Sequence, residues 1–387
     1  MAELVFFGAA LLLLHTYALY PLLLAMGNRL SHRGESDSPP AFPADLELPG
    51  VSLVVAAHNE AQVIEQKLKN SLALDYPADR LEILIGSDGS DDGTDALVAA
   101  CALEHPRVRL SSATRAGKVG VLNRCIPQAR GSLVVLSDAN TMLEPDAIRR
   151  LVRHFEDPRV GAVCGRLRLF NPTLRDYQES AYWSYESFIK EEEGKRGAVV
   201  GANGGLYAMR RDRFTPLPPE TIVDDFVIPL RLLERGDKVL YDRTALAHEE
   251  TTEDYQREFG RRARIAAGNF QALTQVRNLL RPSAGFVAFA LWSHKVLRWC
   301  APLLMALAFL SNLALLKQGA FFQLSMILQL AFYALAALGH LRPVPPMLRR
   351  LVGIPYYFVA MNVAIAVGFV RFVRGSQRAA WDRTARA

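Results

Sequence analysis

Ile85-Gly86-Ser87-Asp88-Gly89-Ser90-Asp91-Asp92-Gly93-Thr94 and Val134-Val135-Leu136-Ser137-Asp138-Ala139-Asn140 decide how this chain is read. In each, an acid follows directly on an apolar, β-branched run. Such a run reads as a buried strand of a parallel sheet. Ligands of open α/β sheets bind just beyond the carboxyl ends of those strands. Asp88 and Asp138 are therefore expected to converge on one crevice. Two carboxylates there suit a metal-bound, phosphate-bearing ligand and repel a bare anion.

Outward from these two stretches the rhythm is α/β. Strands are expected at 51–57, 81–86, 108–110 and 133–137, alternating with helices at 60–73, 94–104, 118–130 and 145–155. That alternation implies parallel crossover units. From Val160 to Val239 it is less regular, with strands expected at 160–169 and 206–209. Tyr177 to Glu193 reads as an amphipathic helix whose Tyr182, Trp183, Tyr185 and Phe188 either pack on the domain or the membrane surface or stack on an acceptor. Tyr255 to Leu273 reads as a basic helix.

The flanks differ in kind. Leu4 to Met26 contains no Asp, Glu, Lys or Arg, and a bilayer crossing needs about 20 apolar residues. Glu3 stands where a signal peptide has its basic region, so the segment reads as a retained span. Trp299–Leu316, Ala320–Gly339 and Ile354–Val370 are further apolar stretches. The expected organisation is a membrane helix over 1–27, a proline-bearing linker over 28–50 and an α/β domain over 51–275. An interfacial helix over 276–298, a membrane region over 299–374 and a basic cytoplasmic tail over 375–387 complete it.

The net charge of +6 is concentrated beside the spans, at Arg29, Arg33, Arg342, Arg349, Arg350 and from Arg371 to Arg386. This fits the positive-inside rule, and no aromatic-rich basic module points to nucleic acid. An odd number of crossings after the domain would strand the basic tail outside. Either one stretch is then re-entrant or interfacial, or 285–316 holds more crossing than its length suggests. The four cysteines have no metal or disulfide spacing.

The order AAHNE (56–60), DGSDDGT (88–94), GKVGVLN (117–123), SDAN (137–140), VDD (223–225) and RRAR (261–264) resembles the inverting family-2 glycosyltransferases of the GT-A fold. It is most similar to their membrane-embedded branch of hyaluronan-, chitin- and cellulose-synthase-like and ceramide-glucosyltransferase-like enzymes. The resemblance covers Val51 to Arg264, plus Trp381-Asp382-Arg383-Thr384-Ala385-Arg386 at the tail.

The resemblance implies a GT-A, Rossmann-like nucleotide-sugar domain between N- and C-terminal transmembrane helices. It implies a UDP-sugar donor, Mg²⁺ or Mn²⁺, and a lipid or glycan acceptor. Asp88, with Glu60 beside it, would take the uracil and ribose, and Lys118 the nucleotide. Asp138 and Asn140 stand at the DxD position and would hold the metal, Asn140 through a neutral amide oxygen. An acid restored at 140 is expected to be tolerated or to tighten that metal. Asp225 would be the base, with Asp224 beside it raising a carboxyl pKa by repulsion. Gly204 and Gly205 would let an acceptor approach the backbone. Arg261 and Arg264 would face the leaving diphosphate, and Trp381 would reach back to the nucleotide. Ile265 stands where processive synthases place an acceptor-site tryptophan.

Plainer roles compete with several of these. Glu60 could serve only as a helix-terminus charge, Asp224 and Asp225 as N-caps of the helix that follows, Lys118 as a solvated lysine and 138–140 as an Asp-Asn turn. The tail could be a polybasic surface anchor. The expected location is the cytoplasmic (inner) membrane, multi-pass, with the α/β domain on the cytoplasmic side. Two alternatives stand beside single transfer. One is a processive polysaccharide synthase working with an export apparatus, and the other is a non-catalytic scaffold of a polysaccharide assembly.

Overall fold

The computed structural model describes residues 1–31, 40–170, 179–250, 255–340 and 349–377. Part of the expected linker, the start of the 177–193 helix and the Trp381 tail lie outside the described residues. The chain divides into two compact units. One gathers Asn28–Glu253 with Gln271–Val287, and the other Met1–Gly27, Asp254–Phe270 and Ala288–Gln377. The division falls inside the expected 51–275 domain, because Asp254–Phe270 groups with the apolar helices.

The first unit is built on an eight-stranded sheet. Its strands are β1 (Val51–Ala57), β2 (Leu81–Asp88), β3 (Val108–Ala113), β4 (Leu133–Asp138), β5 (Thr141–Leu143), β6 (Val160–Phe170), β7 (Tyr207–Arg210) and β8 (Lys238–Glu250). Their order is β3-β2-β1-β4-β7-β6-β8-β5. The four strands at the β3 end are parallel, as their unbroken apolar runs require. Leu53, Val55, Ile83, Ile85 and Val135 from three of them are fully buried. Beyond β4 the sheet is mixed. β7 runs antiparallel to β4 and β6, and β5 antiparallel to β8. The crossover pattern therefore holds for the first half of the domain and not the second.

Register decides where the acids meet. Ala56 of β1 is opposite both Gly86 and Asp138, and Ala57 is opposite Ser87. The ends of β1, β2 and β4 are thus level, and His58, Asp88 and Asp138 leave the sheet side by side. Gly86 allows the helix Gly117–Gln128 to close on β2, for a Cβ there would lie 2.3 Å from Val121 Cγ1.

In the second unit, the helices Ala2–Leu14 and Tyr20–Ser31 are joined by a π-helical turn, His15–Leu19. A second π-helical turn, Leu291–Val296, meets the first through Thr16 Oγ1 donating to the Ser293 carbonyl at 2.6 Å. Among the described residues three helices are long and apolar enough to cross a membrane: Ala2–Ser31, Ala320–His340 and Leu351–Val373. The pair Phe286–Trp299 and Ala301–Ala314, bent by 62°, would count as a fourth span if taken as one. The bend falls within the stretch where the charge pattern called for something other than a simple crossing.

Candidate active site

Asp88 ends β2 with its side chain buried. Its Oδ1 accepts from the backbone amides of Ala116 (2.6 Å) and Gly117 (3.1 Å), and its Oδ2 from Gly117 (3.0 Å). The carboxylate thereby anchors the start of the helix Gly117–Gln128. Gly89, at φ +65°, turns the chain there, and a Cβ on it would lie 2.9 Å from Arg115 N. His58 Nδ1 is 2.8 Å from the Asp88 carbonyl. Glu60 is half-buried at the N-cap of the helix Ala61–Leu72 and makes no side-chain cap bond. Asp92 does the capping instead, accepting from Ala61 N at 3.0 Å and Thr94 N at 3.1 Å.

Lys118, carried on the anchored turn, reaches across the crevice. Its Nζ lies 2.8 Å from Asp138 Oδ1 and 3.6 Å from Asp224 Oδ2. It is a partly buried ammonium between acids and not a solvated lysine. Although burial works against its charge, Asp138, Asp224 and Asp225 hold it well above the usual lysine range. Asp224 and Asp225 open the helix Asp224–Glu234. Val223 is the N-cap and no side chain caps this helix, so the acids are not there as caps. Burial pushes Asp224 up to about 6, with Asp225 and Asp138 adding to it and Lys118 opposing. Adjacent carboxylates were expected to raise one pKa by repulsion; here the affected acid is Asp224 and burial is the larger cause.

Asp225 is more exposed than Asp224 and faces the glycine loop. A Cβ on Gly204 would sit 3.1 Å from Asp225 Oδ2, and the Asp225 carbonyl accepts from Ala202 N at 2.8 Å. Gly205 approaches Thr141 as closely. The loop is braced by the buried Lys190, whose Nζ donates to Asn203 Oδ1 (2.5 Å) and the Ala202 carbonyl (3.2 Å). Asn203 Nδ2 in turn donates to the Gly165 carbonyl at 2.9 Å.

Asp138 ends β4, and Asn140 lies on the turn to β5. Asn140 Nδ2 donates to Glu249 Oε1 of β8 at 3.1 Å. Under this turn lies Lys67, fully buried, donating to Ser137 Oγ at 2.8 Å and to the Thr141 carbonyl. Burial, opposed by Asp138, brings Lys67 down to about 7. Among the described residues no three His, Cys, Asp or Glu side chains form a metal cage. The oxygen donors of Asp138 and Asn140 do suit a hard divalent cation that completes its shell with phosphate and water. Lys118 already sets a cationic group on Asp138 Oδ1, which marks the spot as one that attracts positive charge.

The sequence reading missed Lys67, Lys190, Asn203 and Glu249. Lys67 had a signal: the buried stripe of its helix is Ile64, Lys67, Leu68 and Ser71, where a lysine is out of place. Arg261, Arg264 and Ile265 belong to the other unit. There Arg261 is held by Glu258 at 2.8 and 3.0 Å, and Ile265 is half-buried. Trp381 lies outside the described residues.

Residues 52–215 match the model of the glycosyl transferase family 2. A poly-β-1,6-N-acetyl-D-glucosamine synthase of Staphylococcus aureus is 29% identical over 233 residues, 59% of this chain and 56% of that protein. A β-monoglucosyldiacylglycerol synthase of Synechocystis is 29% identical over 227 residues, 56% of this chain and 47% of that protein. The chain thus spans about half the length of these curated relatives. Among solved structures, the mannosyltransferase PcManGT of Pyrobaculum calidifontis, in complex with GDP-Man and Mn²⁺, superposes with a TM-score of 0.73 at 22% identity. The match covers 97% of this chain and 100% of that one. Residues 52–215 are thus similar to family-2 glycosyltransferases, the fold is that of the structural relative, and candidate membrane helices precede and follow this stretch in the chain.

Proposed function

We propose that this protein is a membrane-integral inverting glycosyltransferase, moving a sugar from a nucleoside-diphosphate donor to a lipid or glycan hydroxyl. The observation that supports this best is that Lys118 Nζ lies within 3.6 Å of both Asp138 and Asp224, with Asp225 against the Gly204 loop. A retained set of acids of this kind also argues against the scaffold reading.

Asp225 takes the proton of the acceptor hydroxyl, whose oxygen attacks the anomeric carbon as the bond to the diphosphate breaks. Configuration inverts, and the nucleoside diphosphate leaves. Asp138 and the Asn140 amide oxygen would hold Mg²⁺ or Mn²⁺, which when bound would supply positive charge where the diphosphate departs. Lys118 adds positive charge on the same side. Asp88 works by fixing the Ala116–Gly117 turn that aims Lys118, and Glu60 borders the donor side. Gly204 and Gly205 keep the acceptor face free of side chains. Arg264, with Arg261 and Trp381, would contact the diphosphate.

The donor is read as a UDP-sugar from the motif order; the structural relative was solved with GDP-Man. Placement in the cytoplasmic membrane, with the α/β unit on the cytoplasmic side, follows from Arg29 and from the need for nucleotide sugar. Ile265, which offers no aromatic face, favours single transfer or short products over a secreted polymer. The test is incubation of the purified chain with a panel of UDP- and GDP-sugars, with and without Mn²⁺. Expected are transfer with one donor class and loss in EDTA. Full activity in chelator, or none with any donor, would reject the reading.

A further inference from the structure

Asn140 departs from the usual second aspartate of its motif, and the structure holds a partner for that departure. β5 pairs antiparallel with β8, with Thr141 opposite Glu249, and this sets the Glu249 carboxylate beside the Asn140 amide. The contact is 3.1 Å, from Nδ2 to Oε1. A carboxylate only accepts, so the NH₂ end of the amide must face Glu249 and the oxygen end must face away. Only the oxygen end can coordinate a cation. An amide without such a partner presents either end at little cost.

The turn cannot drift to relieve or remake this contact. Asn70 brackets Leu143, its Nδ2 donating to the carbonyl at 2.8 Å and its Oδ1 accepting from the amide at 2.9 Å. Lys67 holds the Thr141 carbonyl from below. Glu144 N donates to the Leu246 carbonyl of β8 at 3.0 Å, closing the far end of the pair.

We infer that Glu249 is a positioning residue that points the Asn140 oxygen at the metal, and that Asn140 and Glu249 are a matched pair. This rests on the proposal that Asp138 and Asn140 hold the cation. It also changes the expectation for an acid at position 140. With Glu249 in place, Asn140→Asp sets two carboxylates about as close as the present hydrogen bond, and like charges so placed repel. The usual second aspartate becomes acceptable only when Glu249 is made neutral.

The test is titration of the purified full chain with Mn²⁺ in the presence of UDP and, separately, GDP, following free Mn²⁺ by electron paramagnetic resonance. Glu249→Ala is expected to weaken Mn²⁺ roughly ten- to a hundredfold, as loss of an outer-shell partner does. Glu249→Gln, whose amide oxygen still accepts from Asn140, is expected to weaken it by less. Asn140→Asp is expected to weaken Mn²⁺, and Asn140→Asp/Glu249→Gln to restore wild-type affinity or better. Tighter binding by Asn140→Asp alone, or no recovery in the double variant, overturns the inference. Should Glu249→Ala fail to fold, the comparison of Asn140→Asp with the double variant still decides. Asp138→Asn separates the two levels. If it abolishes Mn²⁺ binding while the Glu249 series is silent, only the pairing falls. If the wild type binds no Mn²⁺, or Asp138→Asn binds it unchanged, the metal site itself is rejected and the pairing with it.

Discussion

Lys118 Nζ lies 2.8 Å from Asp138 Oδ1, so the carboxylate proposed to hold the metal is already paired with a cation. The same ammonium is 3.6 Å from Asp224 Oδ2. A divalent ion arriving alone must displace or crowd this charge. An ion arriving with a diphosphate brings a new anion for the lysine to face. The geometry therefore couples metal to nucleotide.

Lys118→Met should reverse that coupling. Removing the competing charge is expected to tighten Mn²⁺ in the absence of nucleotide by about tenfold, a change of about 1.4 kcal/mol. The same variant should bind UDP or GDP more weakly, because a phosphate contact is lost. Equal Mn²⁺ affinity for variant and wild type without nucleotide would show that the lysine does not guard the site.

Asp224 gives a pH dependence with a definite sign. Its folded pKa is raised to about 6, whereas an unfolded aspartate titrates near 3.9 by order of magnitude. Between those values the folded state binds the extra proton, so stability falls as pH rises through about 4 to 6. Above that window the cost of the buried charge is fully present. Asp224→Asn removes it. The melting temperature of this variant relative to wild type should therefore rise from pH 4 to 6 and level off by pH 8. A constant difference across that range would mean that Asp224 is not the titrating group.

The parallel half of the sheet was legible because buried parallel strands leave unbroken apolar runs, and β1, β2 and β4 each begin at the residue those runs predict. The second half was not. β5 is three residues long, and its pairing with β8 joins residues about a hundred positions apart in the chain. No local pattern encodes that contact, and with it went Glu249. Lys190 was hidden differently, on a helix read for its aromatics, where a charged side chain looks solvent-facing until its partner loop is placed beside it. The Lys118 contact with two acids was likewise invisible, because motif order gives the roles of residues toward a ligand and not toward each other.

Asp225 and Asp224 are adjacent but should separate in their kinetics. Asp225→Asn removes proton abstraction and is expected to lower transfer on the order of 10²–10⁴-fold. Nucleotide affinity should stay near wild type, since the carboxylate lies against the Gly204 loop. Isothermal titration with UDP or GDP, set against initial rates of transfer, measures both. Affinity collapsing together with rate would move Asp225 from base to donor site or scaffold.

Product length should depend on Ile265. On the helix Tyr255–Gln275, Ala263, Ala266 and Ala267 are buried on one stripe, which the half-buried Phe270 continues. Gly368 of the helix Arg349–Val373 packs there, so closely that a Cβ on it would lie 2.5 Å from Ala266 Cβ. Phe270 adds ring contacts with Phe369 at 5.0 Å and Trp299 at 5.8 Å. Two residues of helix turn by about 200°, so Ile265 points away from Ala263 and from this crossing. A tryptophan at 265 would therefore not overpack the helix pair. Stacking of a ring on an aromatic side chain is worth on the order of 1–3 kcal/mol in nucleic-acid sites. A similar gain for a sugar is about ten- to a hundredfold in acceptor retention. The wild type lacks that platform and should release its product after one or a few additions. Ile265→Trp should shift the products to greater length at similar initial rate, because Arg264 is untouched. Gel or mass sizing of products under excess donor measures this. High-molecular-weight polymer from the unmodified enzyme would place acceptor retention in some other element.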